Sequence, residues 1–292
     1  MLPRNPNSRD RMKVEIDNVT FGYSSTPVLK DIKVEIDGPQ FVSIIGPNGV
    51  GKSTLIHCIN KILSPNNGAV LIDDIDVKSI PLKELAKEVG YVPYASSDSF
   101  PLSVVDTVLM GRHPHAKLGS KEEDLRKVYE VLSELEIVDL ALRPFDELSA
   151  GQHQKVVLAR GLVQEPRILL LDEPTSNLDI HHQLEVTKTL KKLSRDKNIL
   201  VIMISHDLNI AAKYADNMIL LYKGGIFAVG PPKDVITKEA LRVVYHVEAD
   251  IVEYDGRPHV VIRDSFKGEE ESDWTPPDRG TPVLELKAGT EE

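Results

Sequence analysis

With Cys58 as its single cysteine, the chain can form no internal disulfide. That thiol falls in the apolar helical pattern Leu55, Ile56, Cys58, Ile59, which marks it as a small buried side chain and suits a reducing compartment. Long apolar runs are missing as well. No stretch approaches the roughly 18 apolar residues of a bilayer span, and residues 1–11, with their prolines and charges, lack the apolar core of a secretory signal. Work at a membrane would therefore require docking to a partner that spans it. A basic excess is also absent. Lys and Arg total 35 against 45 Asp and Glu, for a formal net charge of −10, and no basic stripe interrupts that balance. This argues against a surface that wraps nucleic acid. Neither an internal repeat nor a sustained heptad pattern is seen.

What is present suits a globular α/β chain: 41% apolar residues in 292 is enough for a sizeable core. Residues 1–11 are expected to form a flexible leader, 12–266 the folded unit, and 267–292 an acidic tail without structure. Val14 and Ile16, then Ile32, Val34 and Ile36, alternate as half-buried antiparallel strands do. The runs 41–45, 168–171 and 199–204 are continuously apolar, which predicts strands buried on both faces in a parallel sheet. Over about 95–165 helical spacing takes over, as in Leu125, Val128, Leu132 and Leu135. Short strands return around Gly224-Gly225, followed by a helix near 238–245 and a hairpin at Asp255-Gly256.

Gly46-Pro47-Asn48-Gly49-Val50-Gly51-Lys52-Ser53 fits G-x-x-x-x-G-K-[ST], between a buried strand and a helix. Such glycines let successive backbone N–H groups face phosphate oxygens, and the helix start adds partial positive charge. Lys52 is then expected at the β and γ phosphates of ATP, and the Ser53 hydroxyl at Mg²⁺. An ordinary glycine turn explains the glycines but not the Lys-Ser pair. Asp172 and Glu173 emerge at the C-terminal end of the apolar run 168–171, where α/β sheets bind ligands. Asp172 is expected to hold the Mg²⁺ shell, and Glu173 to orient and polarise the attacking water. A solvated acidic pair at a strand end is common by itself.

Leu148-Ser149-Ala150-Gly151-Gln152, some twenty residues ahead of Asp172, resembles the LSGGQ signature of ATP-binding cassette (ABC) ATPases, with Ala150 replacing a glycine. The resemblance covers about 12–266. It implies a P-loop NTPase core of the ABC ATPase type, with an N-terminal antiparallel β subdomain and an inserted α-helical signature subdomain. It also implies a head-to-tail dimer with two ATPs between the subunits, in which Ser149, Ala150, Gly151 and Gln152 meet the nucleotide held by the opposite subunit. Within one chain Ser149 is adequately explained as a helix N-cap. By the same resemblance Tyr23 stacks on adenine, Thr54 completes the ATP loop, Asp179 belongs to a loop crossing the dimer interface, and His206 contacts the γ-phosphate. The other histidines, His181 and His182 included, are assigned no function. Where the family places Gln, this chain has Tyr94, whose phenol lacks the paired donor and acceptor of a carboxamide; Ser96, Ser97 and Asp98 are equal candidates to replace it.

The segment 108–115, Val-Leu-Met-Gly-Arg-His-Pro-His, is similar to that of ATPases energising uptake of iron chelates (siderophores), haem and cobalamin, as are 182–186, 230–232 and 244–247. This implies an ATPase at the cytoplasmic face of the cell membrane, peripheral, joined to transmembrane permease subunits and indirectly to a substrate-binding protein. No nucleic-acid partner is expected. The competing expectation, a cassette ATPase of DNA repair or translation, would ordinarily bring coiled coils or tandem cassettes, and the chain has neither.

Overall fold

The computed structural model describes residues 12–94, 101–116, 121–266 and 281–285. They form two compact units, one comprising residues up to Ile80 together with those from Ile204 onward, the other Pro81–Met203. No described helix is long and apolar enough to cross a membrane.

In the first unit, Lys13–Phe21 pairs antiparallel with both Leu29–Asp37 and Asn67–Ile72. The register sets Val14 opposite Ile36 and Ile72, and Ile16 opposite Val34 and Val70, so alternate residues share one buried face. Phe41–Ile45 is buried at all five positions and pairs parallel with Asn217–Tyr222. Asn217–Tyr222 turns back antiparallel into Gly225–Gly230. The helix Lys52–Ile59 follows the glycine loop, and its Cys58 is buried as expected. Helix Lys238–Tyr245 and a hairpin of Val247–Tyr254 with Arg257–Ser265 close this part of the chain. Asp255 and Gly256 both have positive φ, the geometry that a tight hairpin turn needs.

One segment departs from expectation. Within the tail predicted to carry no structure, Val283–Leu284 runs parallel to Leu29–Asp37, and Leu284 is buried. The reason lies in two buried amides distant in sequence. Gln40 Nε2 donates to Leu284 O at 2.8 Å. Asn217 Nδ2 donates to Gln40 Oε1 at 2.7 Å and to Glu285 O at 3.3 Å. The edge of Leu29–Asp37 also uses this strand, through Glu35 N donating to Pro282 O at 2.9 Å. The rest of that tail and residues 1–11 lie outside the described residues.

The second unit carries three parallel strands, Val89–Val92, Ile168–Leu171 and Leu200–Ile204, the last ending at the unit boundary. The helices Val104–Leu109, Lys121–Glu134 and Ala150–Leu162 occupy the stretch predicted to be helical. Buried Arg112 ties this stretch together: its Nε donates to Asp124 Oδ1 at 2.8 Å, and its Nη1 to Val163 O at 2.9 Å and Glu165 Oε2 at 3.0 Å.

Candidate functional site

The expected site residues divide between the two units. Tyr23, residues 46–54 and His206 belong to the first; Ser149, Ala150, Gly151, Gln152, Asp172, Glu173 and Asp179 belong to the second.

In the first unit the strand Phe41–Ile45 delivers the chain into Gly46, whose φ of 146° is forbidding to side chains; an added Cβ would lie 2.5 Å from Leu221 O. Gly51 then starts the helix Lys52–Ile59 with φ 106°, and a Cβ there would meet Leu29 Cδ2 at 2.7 Å. Lys52 is buried to 4% exposure, and its Nζ donates to Gly46 O at 2.8 Å and Pro47 O at 2.9 Å. The loop thus wraps its own ammonium group, while Asn48 and Gly49 remain exposed and Ser53 half-buried at the first helical turn. Val50 and Thr54 are buried. Tyr23 is 69% exposed and rests edge-on against Phe21, ring centroids 5.0 Å apart, so a face of its ring is accessible for stacking. His206 is exposed just beyond the strand Leu200–Ile204, between Ser205, whose N–H donates to Ile44 O at 3.1 Å, and Asp207, which caps the next helix.

In the second unit Asp172 is buried at the end of Ile168–Leu171, with its N–H donating to Val92 O at 2.9 Å. Burial, reinforced by the Asp172 charge, pushes the Tyr91 phenol up to about 12. Glu173 is half-buried and has φ 50°, a left-handed backbone uncommon for a residue with a Cβ. Such strain, of order 1–3 kcal/mol, is tolerated where the surroundings fix it and recurs at functional sites. Ser149 caps the helix Ala150–Leu162 in a reciprocal box: Gln152 N donates to Ser149 Oγ at 3.4 Å, and Ser149 N to Gln152 Oε1 at 3.1 Å. Ser149 and Ala150 are exposed, as is Asp179, which caps the helix Ile180–Asp196. Tyr94 is 47% exposed, whereas Ser96, Ser97 and Asp98 lie outside the described residues.

The ABC transporter family model matches residues 29–176, from the second strand through the Asp172-Glu173 pair. The chain belongs to the ABC transporter family. An uncharacterized ABC transporter ATP-binding protein of Methanocaldococcus jannaschii, MJ0089, is 48% identical over 86% of this chain and 98% of its own length. The ferric enterobactin transport ATP-binding protein FepC of Escherichia coli is 36% identical over 84% and 92%. The hemin import ATP-binding protein HmuV of Bordetella pertussis is 35% identical over 85% and 97%. Among solved structures, one described as an inward-facing metal-chelate type ABC transporter superposes with a TM-score of 0.75 at 28% identity, covering 86% of this chain and 97% of that one. The dimeric cassette MJ0796 gives 0.67 at 30% identity, over 75% and 98%. The fold is the ABC ATPase fold, and the chain is an ATP-binding ABC subunit that hydrolyses ATP to drive transport.

Two features of this ABC subunit escaped sequence reasoning. Tyr245, at the end of Lys238–Tyr245, comes near the Gly46 backbone; burial holds its phenol far above the ordinary tyrosine value, and that backbone neighbour offsets part of the rise. Nothing in spacing could pair residues 46 and 245. His182, set aside in the sequence, lies against both Asp179 and Gly151.

Proposed function

We propose that this chain is the ATPase subunit of a membrane importer for iron chelates, haem or cobalamin. The observation that carries this reading is its similarity to FepC and HmuV along most of their length, together with the segment 108–115 described above. In this reading the Lys52 ammonium and the loop amides hold the phosphates, Tyr23 stacks on the base, and His206 reaches the γ-phosphate. Glu173 orients and polarises the attacking water. The Ser53 hydroxyl and the Asp172 carboxylate are each hard oxygen donors of the kind that Mg²⁺ takes, and each would hold the ion. Bound Mg²⁺ would neutralise phosphate charge.

Two copies would pair head to tail, so that Ser149, Ala150, Gly151 and Gln152 of one meet the ATP of the other. Exposed Ile180, 74% accessible beside Asp179, is the kind of apolar side chain that such a contact would cover. The permease would dock the second unit, where Tyr94, Leu102 and Met110 are exposed and apolar. A substrate-binding protein would deliver cargo to that permease, leaving this subunit peripheral on the cytoplasmic face.

The trap for the cycle is Glu173→Gln: ATP should hold this variant as a dimer in size-exclusion chromatography while turnover falls, and normal turnover would overturn the role given to Glu173. Cargo is read in vesicles containing the cognate permease and binding protein. ATP-dependent uptake of a ferric chelate, haem or cobalamin is the expected result, and copurification with ribosomes or nucleic acid instead of a membrane protein would reject the importer.

A further inference from the structure

Two motifs of the second unit, treated separately by sequence, meet at one imidazole. His182 stands in the first turn of Ile180–Asp196, where its backbone N–H donates to Asp179 Oδ1 at 2.9 Å. Its ring Nδ1 lies 2.9 Å from each Asp179 carboxylate oxygen, so Nδ1 carries the proton and donates to both. The opposite edge of the ring faces the signature glycine. A Cβ built on Gly151 would lie 2.6 Å from His182 Cδ2 and 3.0 Å from its Nε2, and the three nearest atoms to that Cβ all belong to this ring. The requirement for glycine at 151 is thus spatial, imposed by His182. One turn further along, Lys155 of the signature helix pairs with Glu185 at 2.7 Å, so the two helix starts are tied at two levels. Gln183 Nε2 donates to Leu178 O at 2.8 Å and holds the chain just before Asp179.

We propose that His182 is a positioning residue that locks the Asp179 loop to the signature glycine, so that the two elements meant for the opposite subunit's nucleotide move as one block. The reasoning is one of preorganisation. The amides of Ala150 and Gly151 precede the first acceptor that the helix supplies, and with the Ser149 hydroxyl they are the groups available to an anion. They act on an ATP held elsewhere, and their aim relative to Asp179 decides whether one closing movement engages both. A ring bonded to one and packed on the other fixes that aim without touching nucleotide.

His182→Ala in the full chain should lower kcat for ATP about ten- to hundred-fold, the scale on which small misplacements act. KM for ATP should stay within about twofold, because the loop that first holds ATP is untouched. His182→Asn, whose amide can donate in place of Nδ1–H, should restore most of the rate. Gly151→Ala should be severe alone yet add little to His182→Ala, since the ring it strikes is then gone. Melting temperatures identify any loss of fold, and the Gly151 pair reads the contact even where His182→Ala lowers stability. Wild-type turnover by His182→Ala, or independent multiplication of the two defects, would overturn the proposal. It rests on the subunit pairing proposed above, and the Glu173→Gln chain separates the two failures. If that chain does not dimerise with ATP, the pairing and this proposal fall together; if it does, the His182 variants decide the link alone.

Discussion

At the scale of single residues, several buried polar side chains hold backbone in place. Lys52 is the clearest case: an ammonium at 4% exposure is supported by two carbonyls of the loop that precedes it. Lys52→Met should therefore disturb the loop that its ammonium supports as well as the phosphate contact proposed for it, with ATP binding and turnover falling at least about a hundredfold when measured by nucleotide titration and phosphate release. Arg112 illustrates a different use. Its side chain and that of Asp124 are nearly sealed from water, so Arg112→Ala takes from a buried carboxylate the guanidinium that faces it. The expected cost is about 3–5 kcal/mol, read as a lower denaturant midpoint. Cys58 gives a pH signature. Burial raises its thiol from 9.0 to about 11, so the fold favours the protonated form. That contribution is complete below the unfolded value and is lost as pH rises towards about 11. A thiol reagent at pH 8 should leave the native protein unlabelled and react once denaturant opens it.

At the scale of elements, apolar periodicity was readable wherever one strand or helix face decides burial. The alternation of Val14, Ile16, Val34 and Ile36, and the continuous runs at 41–45, 168–171 and 199–204, became strands, the last over Leu200–Ile204, because local pattern and tertiary environment agree. Val283–Leu284 was not readable. Two residues between charged and proline-rich neighbours carry almost no periodic signal, and their pairing depends on the free edge of Leu29–Asp37 and on Gln40 and Asn217. Leu284→Ala tests the element: removing a side chain that is 2% exposed should cost about 2 kcal/mol. Thermal unfolding would register it, while basal ATP hydrolysis stays close to wild type because the strand pairs with Leu29–Asp37.

At the scale of the whole molecule, the residues proposed to act on ATP are distributed over two units, with residues 46–54 and His206 in one and Asp172, Glu173, Ser149 to Gln152 and Asp179 in the other. If pairing completes each ATP site, turnover per subunit should climb with protein concentration and then level off, and a flat profile across dilution would argue for a self-sufficient monomer. The sequence by itself determined the ABC ATPase fold, the glycine loop and the acidic pair. Those features are encoded in contiguous runs, where a fixed spacing is the chemical requirement. Only the tertiary structure decided that Tyr245 comes near the Gly46 backbone, that Leu284 finishes an edge of the sheet, and that His182 joins Asp179 to Gly151. Each is a contact between distant parts of the chain or across two helix starts. A lone tyrosine, leucine or histidine looks the same in sequence whether or not folding brings it a partner.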